Sequence, residues 1–87
     1  MRVEILKESK EEIEIKLDEN HTLCNLLTDE IRKDKSVIAC AYKIEHPLKK
    51  EFKIFVKTNG KDVRKVIRES IERLEKQFME LYKQLKK

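Results

Sequence analysis

Four side chains carry the most pointed chemistry in this 87-residue chain: His21, Cys24, Cys40 and His46. Two thiolates and two imidazoles can hold zinc tetrahedrally, and His21 and Cys24 would share one face of a helix. The spacing argues the other way. Neither a C-x2-C nor an H-x3-H clip is present, and Cys40 and His46 stand about 20 Å apart along an extended strand. Cys24 and Cys40 therefore read as small buried hydrophobes, His21 as a surface residue of a first helical turn, and no metal is expected. Ser9, Ser36 and Ser70 fall at turn, strand-edge and helix positions, none placed beside a base that would activate it. The acidic neighbours Glu11-Glu12 and Asp29-Glu30 diverge on strand and helix alike and read as solvated charges. One glycine cannot build a phosphate-cradling loop. No catalytic residue, cofactor or small-molecule ligand is expected.

The elements that would position these residues are legible from periodicity. Val3 and Ile5, then Ile13, Ile15 and Leu17, alternate with charged residues, the pattern of strands with one wet face. Glu8-Ser-Lys-Glu11 reads as the turn between them. Leu23, Leu26, Leu27 and Ile31 then gather on one side of a helix running from about residue 21 to 33, with Asn20 the expected N-cap. Val37 to Tyr42 is apolar on both parities, which predicts a strand covered on both faces and central in its sheet. Ala39 and Ala41 would admit a helix closely, and Ile38, Cys40, Tyr42 and Ile44 would fill the other face. His46-Pro47 breaks that strand. Phe52, Ile54 and Val56 form another, which Thr58-Asn-Gly60 ends. Val63, Ile67, Ile71, Leu74, Phe78, Leu81 and Leu85 follow as a heptad-like helical seam. The order predicts an α+β fold, β2-α-β2-α: a two-layer sandwich of a four-stranded sheet with both helices on one face, in a single domain over residues 1–87.

Composition bounds the function. Lys and Arg total 21 and Asp and Glu 17, for a net charge of only +4. Leu, Ile, Val and Phe make up about 30%, above the ~20% below which a charged chain stays disordered. The longest apolar run is six residues, far short of the ~20 that cross a bilayer, and the charged start does not resemble a signal peptide. A soluble, cytoplasmic protein without a membrane partner is expected. A pI near 9.1 allows weak attraction to nucleic acid, but the basic residues are interleaved with acids, and direct nucleic-acid contact is not expected. A small basic nucleic-acid-binding domain, or a homodimeric interaction module, is the alternative reading.

Length makes the last helix informative. At 1.5 Å per residue it would extend about 39 Å, whereas a seven-residue strand spans only about 23 Å. The helix must overhang its sheet, yet Phe78, Leu81, Tyr82 and Leu85 keep the apolar stripe in phase to the end. A stripe of that size calls for cover by another polypeptide.

The segment Asp18-Glu-Asn-His-Thr-Leu-Cys-Asn-Leu-Leu27, with Ala41-Tyr-Lys-Ile-Glu-His-Pro-Leu48, resembles the small assembly subunit of archaeal DNA-directed RNA polymerase, the subunit L family. That family is similar to the dimerising part of the bacterial alpha subunit, and its β2-α-β2-α fold coincides with the order read above. The resemblance implies a non-catalytic subunit of a nucleotidyltransferase complex. It would pair, helix against helix, with the larger, alpha-like D-type subunit to form a platform for the catalytic subunits. His21, Thr22, Leu23, Asn25, Leu26 and Leu27 match the family's helix motif, and Tyr42, His46, Pro47 and Leu48 its second motif. Together with Ile31, Ile71, Leu74, Phe78, Leu81, Tyr82 and Leu85 they form the expected partner interface. The chain departs from the family at Cys24 and Ala41, where glycine is common.

Overall fold

The structure, a computed structural model, describes residues 3–18, 21–46, 48 and 51–86, with backbone alone at His21, Glu45 and His46. Asn20 and Pro47, and with them the expected N-cap and strand-breaking turn, lie outside the described residues. The chain runs β1 (Val3–Glu8), β2 (Glu12–Leu17), α1 (His21–Arg32), β3 (Val37–His46), β4 (Glu51–Thr58) and α2 (Val63–Leu85). The strands form one antiparallel sheet in the order β1-β2-β4-β3. α1 lies over β3 and β4, α2 over β2 and β4, and the helices touch each other. This is the two-layer α+β architecture that the alternation predicts.

Register explains the core. Ile13, Ile15 and Leu17 face Val56, Ile54 and Phe52 across β2 and β4, and Cys40, Tyr42 and Ile44 face the same three residues from β3. These odd positions of β2 and even positions of β3 and β4 point toward the helices. Cys24 and Ile31 from α1 and Val63 and Val66 from α2 complete a buried cluster with Ile13, Leu17, Phe52, Ile54 and Val56, against which Ile15, Cys40 and Tyr42 pack, while Ile44 stays exposed. The other face carries no helix. There Lys53 pairs with Glu14 and Lys16 with Glu51, which is why the two central strands, Phe55 apart, alternate apolar with charged residues.

Two expectations are corrected by the sheet order. β3 is an edge strand, not a central one, because β4 and not β3 is flanked on both sides. Ala39 and Ala41 align with Lys57 and Phe55 on the helix-free face, so α1 approaches through Cys40 and Tyr42 instead. Apolarity on both parities reflects small alanines on an open face, and among the described residues no strand of this sheet is covered by helices on both sides.

The connections are tied by local chemistry. Ser9 N–H donates to the Glu12 carbonyl at 2.8 Å in the first hairpin. After α1, the Asp34 carboxylate accepts from the Ser36 N–H at 2.9 Å and the Ser36 hydroxyl at 2.7 Å. Gly60 adopts φ +86°, a conformation side-chain-bearing residues resist. Asp62 caps α2 by accepting from the Arg64 N–H at 3.0 Å, and Val63 N–H reaches the Lys10 carbonyl at 2.8 Å, joining the start of α2 to the first hairpin turn.

Candidate partner interface

α2 has 23 residues and so extends about 35 Å, against about 26 Å for the eight-residue β4. Its fully buried positions, Val63, Val66 and Ser70, all lie in its first third. Beyond them the apolar seam emerges. Ile67 and Leu74 are half-buried, whereas Ile71 is 41% exposed, Phe78 55%, Leu81 50%, Tyr82 58% and Leu85 74%. The overhang read from the sequence is present, and its stripe faces solvent.

Along α1, Thr22, Asn25 and Leu26 are exposed, and Leu23 and Leu27 half-buried, Leu27 packing against the core. The Asn25 backbone carbonyl accepts from the Thr28 hydroxyl at 3.1 Å. Ile31 is corrected: it is fully buried in the chain's own core, because it continues the line of Cys24 and Thr28 that α1 buries against β3 and β4. Tyr42 is half-buried, its ring 6.2 Å from that of Phe52. Leu48 is fully exposed. The side chains of His21 and His46 lie outside the described residues.

Two features are not read from the sequence. A groove of about 420 Å³ runs between α2 and the first hairpin, lined by Val3, Ile5, Ile67 and Ile71 and rimmed by Arg64 and Glu75. It arises because α2 buries the Val63–Val66–Ser70 line and leaves the seam to one side. The i, i+3, i+7 spacing of those three residues is the signal that could have shown it.

The second is a polar clasp between the helices. Glu30, 3% exposed, accepts from Arg73 Nε at 3.3 Å and from Gln77 at 3.4 Å, and Lys33 lies 3.4 Å away. Arg73 also donates to the Glu30 backbone carbonyl at 3.1 Å and to the Ser70 hydroxyl at 3.2 Å. Sequence alone places Glu30 among the solvated charges; the contact between α1 and α2 buries it.

Two further ion clusters set the helix ends. Lys61 joins Glu69 at 3.0 Å and Asp34 at 3.1 Å, which raises its pKa, the Glu69 bond contributing most. Asp34 is held down to about 2, first by the Ser36 N–H, then by the Ser36 hydroxyl and by Lys61. Arg64 grips Glu8 and lowers its pKa. Cys24 is buried, and the half-buried Cys40 thiol donates to the Thr28 carbonyl at 3.8 Å; burial pushes its pKa up. Among the described residues, no three His, Cys, Asp or Glu side chains gather as a metal site would require.

Fold and surface together define a class: a small α+β domain whose paired helices turn an apolar stripe outward. The same fold is seen in the crystal structure of DNA-directed RNA polymerase subunit L from Thermoplasma acidophilum, with a TM-score of 0.86 over 98% of this chain and 85% of that one, at 24% sequence identity. The RNA polymerase Rpb3/Rpb11 dimerisation domain family matches residues 10–84, and the chain belongs to that family. DNA-directed RNA polymerase subunit Rpo11 of Methanothrix thermoacetophila is 33% identical over 75 residues, 85% of this chain and 82% of that protein. Its counterpart in Methanosarcina acetivorans is 37% identical over 71 residues, 80% and 77% of the two chains.

Proposed function

We propose that this chain is a non-catalytic assembly subunit of a cytoplasmic, multi-subunit DNA-directed RNA polymerase. It pairs with the larger, alpha-like D-type subunit, and that heterodimer is the platform on which the catalytic subunits assemble. No cofactor, small molecule or membrane takes part. The observation that carries this reading is the apolar stripe from Ile71 to Leu85, which the chain's own sheet leaves exposed. Fully burying a Leu or Phe side chain contributes about 1.5–3 kcal/mol. Half-exposed Phe78, Leu81 and Leu85 would together supply several kcal/mol on association, before ordering and rotational losses. Membership of a dimerisation-domain family supports a protein partner over a nucleic-acid one.

The test is co-expression with the alpha-like partner, comparing the chain with its Leu26→Glu, Leu81→Glu double variant. Both leucines are exposed, so the variant keeps its fold while the complex is lost. Undiminished complex formation by a folded double variant contradicts the assignment. Salt separates the alternative: a leucine-lined interface holds or tightens as salt rises, whereas phosphate contacts weaken steeply.

A further inference from the structure

The sheet has two edges, and they are guarded unequally. β1 carries Glu4, Lys7 and Glu8 among its six residues and shifts register in its middle, between Ile5 and Lys7. Charges and bulges of this kind keep an edge from recruiting another strand. β3 is ten residues long, and its register shifts lie at its ends, between Val37 and Ala39 and between Ile44 and His46. Between Val37 and Ile44 its one charged residue is Lys43. Ile38 is 59% and Ile44 46% exposed.

The backbone of β3 is aimed for a further strand. Thr58 N–H donates to the Glu11 carbonyl at 2.7 Å, on the β2 side of β4. Backbone groups alternate sides along a strand, so Lys57, Phe55 and Lys53 of β4 address β3, meeting Ala39, Ala41 and Lys43. Cys40 and Ile44 then direct their backbone groups outward. The Cys40 carbonyl bears this out: it accepts from Arg32 Nε of α1 at 3.1 Å, a contact that an added strand would displace at this one position.

Charge identifies the occupant. Lys16, Lys53 and Lys43 stand in register across β2, β4 and β3 on the helix-free face. Like charges directly opposite are destabilising unless answered. Lys16 is answered by Glu51 at 3.4 Å and Lys53 by Glu14 at 3.3 Å, whereas Lys43 has no carboxylate partner among the described residues. A strand added about 4.8 Å beyond β3 places its own in-register side chain beside Lys43. We propose that the outer edge of β3 receives an extended segment of a different polypeptide as a fifth strand, with an acidic residue opposite Lys43. β-Branched residues beside Ala39 and Ala41 would fill the room those alanines leave. A second copy of this chain fits less well. Antiparallel pairing centred on Ala41, which overlaps most of β3, sets each Lys43 against an Ala39, and the pairing centred on Ile44 that brings Glu45 opposite Lys43 overlaps only residues 42–46. The proposed edge lies apart from the α2 stripe and does not depend on the identity of the partner bound there.

The test uses the isotope-labelled full chain and a blocked synthetic peptide, Val-Glu-Val-Thr-Val-Thr, whose glutamate falls opposite Lys43 in antiparallel register. Amide shifts confined to β3 are expected, with slowed hydrogen exchange at Cys40 and Ile44. Lys43→Glu, an exposed change that leaves the core intact, should weaken binding about three- to tenfold. A peptide with lysine in place of glutamate should recover the loss on that variant and bind the parent chain weakly. Four results overturn the proposal: no binding at millimolar peptide, shifts on α2 instead of β3, equal affinity for both peptides, or concentration-dependent protection of Cys40 and Ile44 without peptide, which would assign the edge to a second copy.

Discussion

Glu30 offers the sharpest test of how the two helices hold their mutual placement. Its carboxylate is almost fully buried, yet three donors from Arg73, Lys33 and Gln77 converge on it. Glu30→Ala removes that acceptor and strands the Arg73 guanidinium. Breaking a fully buried pair costs about 3–5 kcal/mol. The Arg73 side chain is 41% and that of Lys33 66% exposed, so both can rehydrate, and the expected loss falls to about 2 kcal/mol. Glu30→Gln keeps the shape and one acceptor and should lose about 1 kcal/mol. In urea titrations with a slope near 1 kcal/mol per molar, these are midpoint shifts of about 2 M and 1 M. Arg73→Met in a double-mutant cycle should show about 1 kcal/mol of coupling to Glu30. A Glu30→Ala midpoint within about 0.3 M of the parent would refute the clasp, as would additive losses in the cycle.

Acid stability should depend on Asp34. Its folded pKa of about 2 lies below the ordinary value of 3.8, so its contribution is present above pH 3.8 and fades as pH falls through 2. That amounts to about 1–2 kcal/mol, and Asp34→Asn should flatten this part of the stability profile between pH 5 and 2 in circular-dichroism melts; an unchanged profile contradicts the Ser36 and Lys61 contacts. Gly60→Ala meets nothing within 4 Å but must adopt φ +86°. Thermal unfolding should therefore show a loss of about 1 kcal/mol from the backbone alone, and a neutral substitution would mean that the turn relaxes. Asp62→Ala should lower stability by about 1 kcal/mol through loss of the α2 cap, with Asp62→Ser near parental in the same assay.

Periodicity is enough to place the elements, because β2 and most of β4 alternate wet and apolar residues, β3 begins as an unbroken apolar run and each helix carries one apolar line. It misplaces β3 because two small alanines on an open face look, in a string of letters, like a second buried side. Strand order depends on which wet faces neutralise one another, and pairs such as Glu14 with Lys53 are invisible until register is known. On α2, Phe78, Leu81, Tyr82 and Leu85 are readable as overhang from length alone. The buried line through Val66 and Ser70 is not, because serine satisfies itself by donating to the Val66 carbonyl at 2.9 Å and so enters the core without looking apolar. Ile31 shares the helical phase of Leu23 and Leu27, and phase does not tell which turn of α1 meets the sheet and which meets solvent.

The most direct measurement is hydroxyl-radical footprinting of Phe78 and Tyr82, both more than half exposed in the isolated chain, with and without the proposed alpha-like partner bound. Ready oxidation is expected in the chain alone and severalfold protection of both rings in the complex, with the helix-free face around Phe55 unchanged. Equal oxidation of Phe78 and Tyr82 in the two states, with the complex intact, would contradict a partner seated on the α2 stripe.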